Sequence, residues 1–338
     1  SLTTKVNGNI EASGSVEFQS STATIGSTWS SAPNLTQGGM ISKGGAGSTT
    51  AALAFAGYDM STFTPESSCT EEFNGESWSA GGSLNHNRLY VAGAGTQTAA
   101  LAVGGYSPFS GPITCVEQYD GISWGQRAPI TINSSNQFGC AIGTSTSALH
   151  FSGVGTSATN EYNGTSWTSG GNMNTQRNEL AGAGSVSAGL AFGGYDSIST
   201  FNVVSCTEEY DGISWGSNNP MSTARSGVAG AGTQHSALAF GGNDVGGSTT
   251  TCVEEYNGTS WTTKSSLTNG ADYNASAGSS QSALSSGGKN NGMYQSTVEE
   301  FTNDSTGGNQ TTLKFTRSTG KTMIIPPTTD PLIAGALW

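Results

Sequence analysis

At 338 residues the chain is long enough for one large domain or two ordinary ones. A net charge of −12, with only 10% of residues charged, excludes a protein that holds nucleic acid through its phosphates, which requires a basic footprint. No run of 18 apolar residues occurs, so no membrane-spanning helix is expected, and the opening SLTTKVNGNIEASG lacks the basic and apolar regions of a secretory signal.

Residues 1–21 belong to no repeat and read as an N-terminal arm. An orphan tryptophan follows, Trp29 in TATIGSTWSS. Five closely similar segments come next: EEFNGESW, EQYDGISW, NEYNGTSW, EEYDGISW and EEYNGTSW. Their tryptophans are Trp78, Trp124, Trp167, Trp215 and Trp261, at spacings of 46, 43, 48 and 46 residues. Upstream of each is an apolar run ending in small residues: ALAFAG, ALAVGG, ALHFSG, GLAFGG and ALAFGG. A sixth copy opens with SALSSGG and reaches VEEF at Phe301, but no tryptophan follows it. Trp29, at the other end of the chain, is the missing one. Periods near 45 residues built from short strands and turns are the mark of propeller blades. The sequence therefore predicts an all-β, six-bladed β-propeller over 22–304, in which a strand at 24–30 pairs with one at 297–302 to complete the sixth blade. Residues 305–338 read as a C-terminal arm.

The fourth copy shows the expected blade. LAGAG (180–184) is the innermost strand, followed by AGLAFGG (188–194), SCTEEY (205–210) and ISW (213–215). Asp211-Gly212 fits a two-residue type I′ turn, as do Asn74-Gly75, Asp120-Gly121, Asn163-Gly164 and Asn257-Gly258. Such a turn would pair Tyr210 with Ile213 and Glu208 with Trp215, leaving Glu208, Tyr210 and Trp215 on one buried face. Glu71, Glu117, Glu208, Glu254 and Glu299 recur two residues before the aromatic. A group repeated in nearly every blade reads as a buried acceptor for backbone N–H groups, those of the Gly-Gly pair being candidates, rather than as a carboxylate ring for metal or substrate. The six tryptophans read as blade anchors.

Cys69, Cys115, Cys206 and Cys252 share one offset on different blades, too far apart to pair, and Cys140 lies elsewhere, so five free thiols are expected. No CxxC, GxSxG, HExxH or paired-histidine motif occurs, and His86, His150 and His235 sit at unrelated offsets. Neither a cofactor nor a metal is expected. Variation concentrates in the loops joining second to third strands: 58–68, 106–114, 154–159, 195–205, 243–251 and 289–297. Loops one and four match in length, as do two and five, which reads as duplication of a three-blade half. These loops carry Tyr58, Asp59, Phe63, Tyr106, Phe109, Tyr195, Asp196, Phe201 and Asp244, the candidate binding-face residues.

Gly-Gly after a strand, then a tyrosine, a tryptophan about five residues on and a basic residue resembles the kelch repeat. The basic position is Arg88, Arg177 and Arg225 in NHNR, NTQR and STAR; two copies depart, with Asn136 and Asp272 near that place. NGNIEASGSVEF (7–18) is similar to N-terminal segments of tail-fibre and related structural proteins of tailed, especially marine, bacteriophages, and PPTTDPLIAGALW (326–338) resembles terminal segments of phage structural proteins. The resemblance implies a non-enzymatic virion structural protein, assembled in the host cytoplasm, as a fibre, appendage or decoration. It would be oligomeric in the particle and joined to other virion proteins by its arms, with the propeller displayed. The alternative is a carbohydrate-binding adhesin for a host surface glycan. A glycan hydrolase is a third reading, because Asp59, Asp196 and Asp244 follow the small-residue pairs on the variable face. No nucleic-acid partner and no membrane insertion are expected.

Overall fold

The computed structural model describes residues 16–20, 26–37, 40–41, 44–59, 66–131, 138–196, 198, 202–303, 311–316 and 322–325. It divides into two compact units, 27–303 and a second one formed by both ends of the chain. In the second unit Val16–Ser20 pairs antiparallel with Thr311–Thr316, which pairs with Thr322–Ile325, giving a three-stranded sheet.

The larger unit is a six-bladed β-propeller of six four-stranded antiparallel sheets. The fourth blade runs Ala181–Ser185, Ala188–Phe192, Thr207–Tyr210 and Trp215–Asn218 from the axis outward. The sixth closes as expected: Thr28–Ala32, from the beginning of the unit, pairs antiparallel with Val298–Thr302, setting Trp29 opposite Phe301. Closure gives the sixth blade the same four strands as the other five, so Val298–Thr302 is not left as an exposed edge.

The innermost strands are Gly-Ala stretches because neighbouring blades approach there backbone to backbone. A Cβ on Gly93 would lie 2.4 Å from the Gly45 carbonyl oxygen, and one on Gly45 would lie 2.4 Å from that of Ser276. Further out, each tryptophan packs on the preceding blade. Trp124 meets Phe55 at 4.8 Å between ring centroids, Trp215 meets Phe151 at 4.9 Å, Trp261 meets Phe192 at 5.0 Å and Trp29 meets Phe240 at 5.2 Å. The indole N–H groups of Trp78, Trp124, Trp167, Trp215 and Trp261 follow the first residue of the preceding blade's third strand, while that of Trp29 has no partner among the described residues. Where that residue is threonine, Trp124, Trp215 and Trp261 donate to the hydroxyls of Thr70, Thr159 and Thr207. Where it is valine, Trp78 and Trp167 donate to the Pro33 and Ala128 carbonyls instead.

The turn after the third strand differs from expectation. Tyr210 pairs with Trp215 and Glu208 with Ser217, so the loop is four residues, Asp211 to Ser214, and the fourth strand begins at the tryptophan. Only Gly212 takes positive φ, at 91°. Asp211 instead accepts the N–H groups of Ile213 and Ser214 through one carboxylate oxygen, an Asx turn that holds its carboxyl below the usual range. The pairing shifts by two residues, so the shared face of Glu208, Tyr210 and Trp215 survives.

The repeated glutamates are buried acceptors, but their donors are not the Gly-Gly pair. Glu254 takes the Ser222 N–H at 2.7 Å and Glu117 the Asn85 N–H at 2.7 Å, both from the segments that link one blade to the next. Gly193 and Gly194 bond instead to the carbonyls of Cys206 and Arg225. The arginines join the same network. Arg225 is wholly buried; its guanidinium reaches Glu254 at 3.1 Å and the Gly241 and Cys252 carbonyls at 2.8 Å, while its own carbonyl accepts from Gly194 of the preceding blade. Arg88 and Arg177 occupy the equivalent places with Glu117 and Glu208. In the sixth blade the position belongs to Ala271, whose carbonyl accepts from Gly242, and not to Asp272, which bridges to Lys289 as Leu89 bridges to Tyr106. Asn136 lies outside the described residues. The third blade solves the same space without charge: Asn160 stands in the glutamate position and His150 replaces an alanine, fully buried.

All five cysteines carry free thiols, and burial pushes that of Cys140 up to about 12.

Candidate functional site: the axial mouth and the long-loop face

The antiparallel order puts two kinds of connection on opposite faces. Tight turns between strands one and two and between three and four share one face. The second-to-third-strand loops and the blade-to-blade links share the other. Three of the long loops are themselves small hairpins: Tyr106–Ser107 pairs with Gly111–Pro112, Tyr195–Asp196 with Asn202–Val203, and Lys289–Asn290 with Met293–Tyr294; in the first blade Tyr58–Asp59 pairs instead with Met40–Ile41, upstream of the inner strand.

The sequence-predicted residues divide on this face. Tyr58, Tyr106 and Tyr195 follow the small-residue pairs and are half-buried. Tyr58 stacks on Tyr294 at 6.1 Å. Phe109 is 78% exposed, and Ile198, Val245 and Met293 are likewise exposed at the tips of three other loops. Asp196 is buried and accepts the Ile198 N–H at 2.9 Å, and Asp244 accepts those of Gly246 and Ser248 at 2.8 and 3.0 Å, so both carboxylates shape their own loops. Asp59 lies in the strand that pairs with Met40–Ile41. Phe63 and Phe201 lie outside the described residues. The six tryptophans are the inter-blade anchors described above.

The centre of this face is built by residues that were not singled out from the sequence. Two residues ahead of five of the inner strands the backbone turns left-handed: φ is 56° at Tyr90, 61° at Phe138, 56° at Glu179, 60° at Gly227 and 52° at Tyr273. A bulky side chain in that region costs roughly 1–2 kcal/mol. The cause is a tangential chain of hydrogen bonds. Glu179 N–H donates to the Phe138 carbonyl at 3.1 Å, Gly227 to Glu179 at 2.8 Å and Tyr273 to Gly227 at 3.0 Å, each link crossing from one blade to the next. Three links thus join four successive blades in a backbone arc which, with Tyr90 at the same place in the second blade, forms a collar at the axis.

The collar side chains crowd over the axis. Tyr90 and Phe138 lie 3.8 Å apart between ring centroids, Phe138 and Tyr273 5.9 Å, and Tyr90 and Tyr273 6.4 Å. With Glu179 they line a cavity of about 110 Å³. Beneath it a tunnel of about 260 Å³ is walled by the six inner strands. Asn274 lines both spaces, is 8% exposed, and has no partner for its Oδ1 although its amide donates to Ser285. Burial raises the Glu179 carboxyl, an effect offset in part by hydrogen bonding to Tyr273 and Ser226. Burial also raises the neighbouring Asp272 carboxyl, which bonds Asn243 at 2.6 Å and pairs with Lys289 at 3.4 Å. Lys289 Nζ lies 5.6 Å from the Tyr273 ring centre. The alignment of the copies held one signal for this collar: two places before AGAG or its equivalent stand Tyr90, Phe138, Glu179 and Tyr273, with a glycine, Gly227, in one copy.

Among the described residues no group of three or more His, Cys, Asp or Glu could hold a metal ion. No protein-family model matches the sequence, and no curated protein matches it either.

Proposed function

We propose that this chain is a non-enzymatic structural protein of a bacteriophage virion, with a kelch-like propeller displayed on the particle and the terminal sheet serving assembly with other virion proteins. The observation that carries this reading is the division of labour along the chain. Strands from both ends of the chain form one small sheet separate from the blades, and the resemblance to phage structural proteins lies in the terminal segments 7–18 and 326–338 beside those strands. Mass spectrometry of purified particles from an infected host, with antibody labelling of the propeller, tests it. Accessible copies in a fixed ratio to a capsid or tail protein support the proposal; a chain found only in the host lysate sinks it.

A second reading, a carbohydrate-binding adhesin, is favoured by one further feature: exposed apolar tips and half-buried tyrosines surround the axial mouth on the long-loop face. A hydrolase would need two carboxylates addressing one cavity, whereas Asp196 and Asp244 accept N–H groups within their loops.

A further inference from the structure

We propose that the axial mouth binds the ammonium group of a small ligand, with an amino sugar as the source that suits a displayed adhesin. The inference deepens the adhesin reading, but the site it names belongs to the isolated protein and does not depend on the virion.

The aromatic walls supply the first half of the recognition. Tyr90, Phe138 and Tyr273 bring three ring systems around one opening. Ring faces attract cations within about 6 Å, ammonium groups among them. Tyr273 already serves in this way inside the molecule, since Lys289 Nζ stands 5.6 Å from its ring centre. The groups beside the rings supply the second half. Glu179 contributes a carboxyl to the cavity wall, and Asn274 contributes a buried oxygen without a donor. An unpartnered buried acceptor is destabilising, and a ligand N–H or O–H would relieve it. Lys289, the cation nearest the collar's carboxyls, is paired with Asp272. An anionic ligand would therefore meet Glu179 with no free positive charge to offset it, whereas an ammonium would form a charge-assisted hydrogen bond. The strain supports the same conclusion. Glycine fits a left-handed collar position, as Gly227 demonstrates, yet three of the described positions hold aromatics and one a glutamate. Their presence at a conformational cost is explained by what their side chains do at the mouth.

The size of the cavity limits what enters. About 110 Å³ accommodates one small polar group and not an oligosaccharide, so the rest of a glycan would lie among the loop tips.

The test uses the full chain at neutral pH, with saturation-transfer NMR and calorimetry. The probes are glucosamine, N-acetylglucosamine and ethylammonium. Acetylation removes the charge and leaves the sugar ring. The expected result is binding of glucosamine and ethylammonium, with N-acetylglucosamine weaker by about tenfold or more. Glucosamine binding more tightly than ethylammonium identifies the amino sugar; equal affinities identify the ammonium alone, as on a lysine side chain. Glu179→Gln keeps the shape and the acceptor and should weaken both amines about tenfold; Phe138→Leu should weaken them with the apolar contact kept. Melting temperatures confirm that both variants fold. Equal binding of N-acetylglucosamine, amine binding unchanged in Glu179→Gln, or no binding of either amine overturns the proposal. A virion without this chain would leave the result standing, and a failed titration would leave the virion reading standing.

Discussion

The two faces of the propeller use the same backbone pattern for different ends. On the tight-turn face polar side chains are occupied in holding blades together. Gln97 and Gln234, each in the turn between first and second strands, donate to two carbonyls of the preceding blade, Ala52 and Phe73 in one case and Gly189 and Tyr210 in the other. Asn74, Asp120, Asn163, Asp211 and Asn257 each cap their own turn. Ile122 and Ile213 are exposed there, but at one offset in nearly identical turns. On the long-loop face the outer structure is also occupied, by buried Arg–Glu pairs, while the centre and the tips are left with aromatic and apolar groups of differing length and reach. A repeat protein needs every blade to make the same contacts with its neighbour, and the tight-turn face meets that need. The other face is then free to differ.

The largest expected effect comes from opening the ring. Removing residues 1–31 deletes the strand opposite Val298–Thr302 and the Trp29 contacts with Phe240 and Phe301. Trp29 is half-buried, so its loss alone costs up to about 3 kcal/mol, and the lost strand adds to it. Removing only 1–25 leaves that strand in place. The denaturation midpoint should fall sharply in the first truncation and much less in the second; equal midpoints for both would show that closure contributes little.

Next is the network under the long loops. Arg225→Met leaves Glu254 buried without its cation and should cost about 3–5 kcal/mol in urea unfolding. The double variant Arg225→Met/Glu254→Leu should recover most of that loss. The third blade already shows that an uncharged solution fits. A single variant as stable as the parent would remove the pair from the account of how blades are held.

The third blade also has an acid limit. Burial without a partner lowers His150 to about 4 from an ordinary 6.5, and neither ring nitrogen is hydrogen-bonded. The unfolded chain then takes up a proton between pH 6.5 and about 4 that the folded chain does not. Stability should fall as pH drops through that window and show no His150 contribution to its slope above it, by about 3 kcal/mol in total. His150→Ala restores the residue of the fourth and fifth blades, and its stability curve should be flatter between pH 6.5 and 4. A curve parallel to the parent's would assign the acid loss elsewhere.

The smallest effects separate the faces directly. Phe109→Ser, at an exposed loop tip, should change stability by less than about 0.5 kcal/mol. Gln234→Ala leaves two carbonyls without their donor and should cost about 1–3 kcal/mol. Matching losses in thermal unfolding would contradict the contrast between turn residues that bind the neighbouring blade and loop tips that hold nothing.

Local chemistry made much of this legible in the sequence. The period, the orphan Trp29 and the missing tryptophan after Phe301 specify six blades and their closure, because each is a property of one repeat or of the chain's two ends. Glycine in the inner strands and Asx-Gly turns are likewise local requirements. Tertiary packing decided the rest. The Asp211-Gly212 turn became a four-residue loop because an Asx bond and the Tyr210–Trp215 pair together outweigh the tighter hairpin. The donors to the glutamates come from links about 30 residues away, which no spacing within one repeat identifies. The collar depends most on the assembled ring: Phe138, Glu179 and Tyr273 adopt a backbone conformation their side chains disfavour, because the hydrogen-bond partner of each link is supplied by a neighbouring blade and exists only once the blades stand around a common axis.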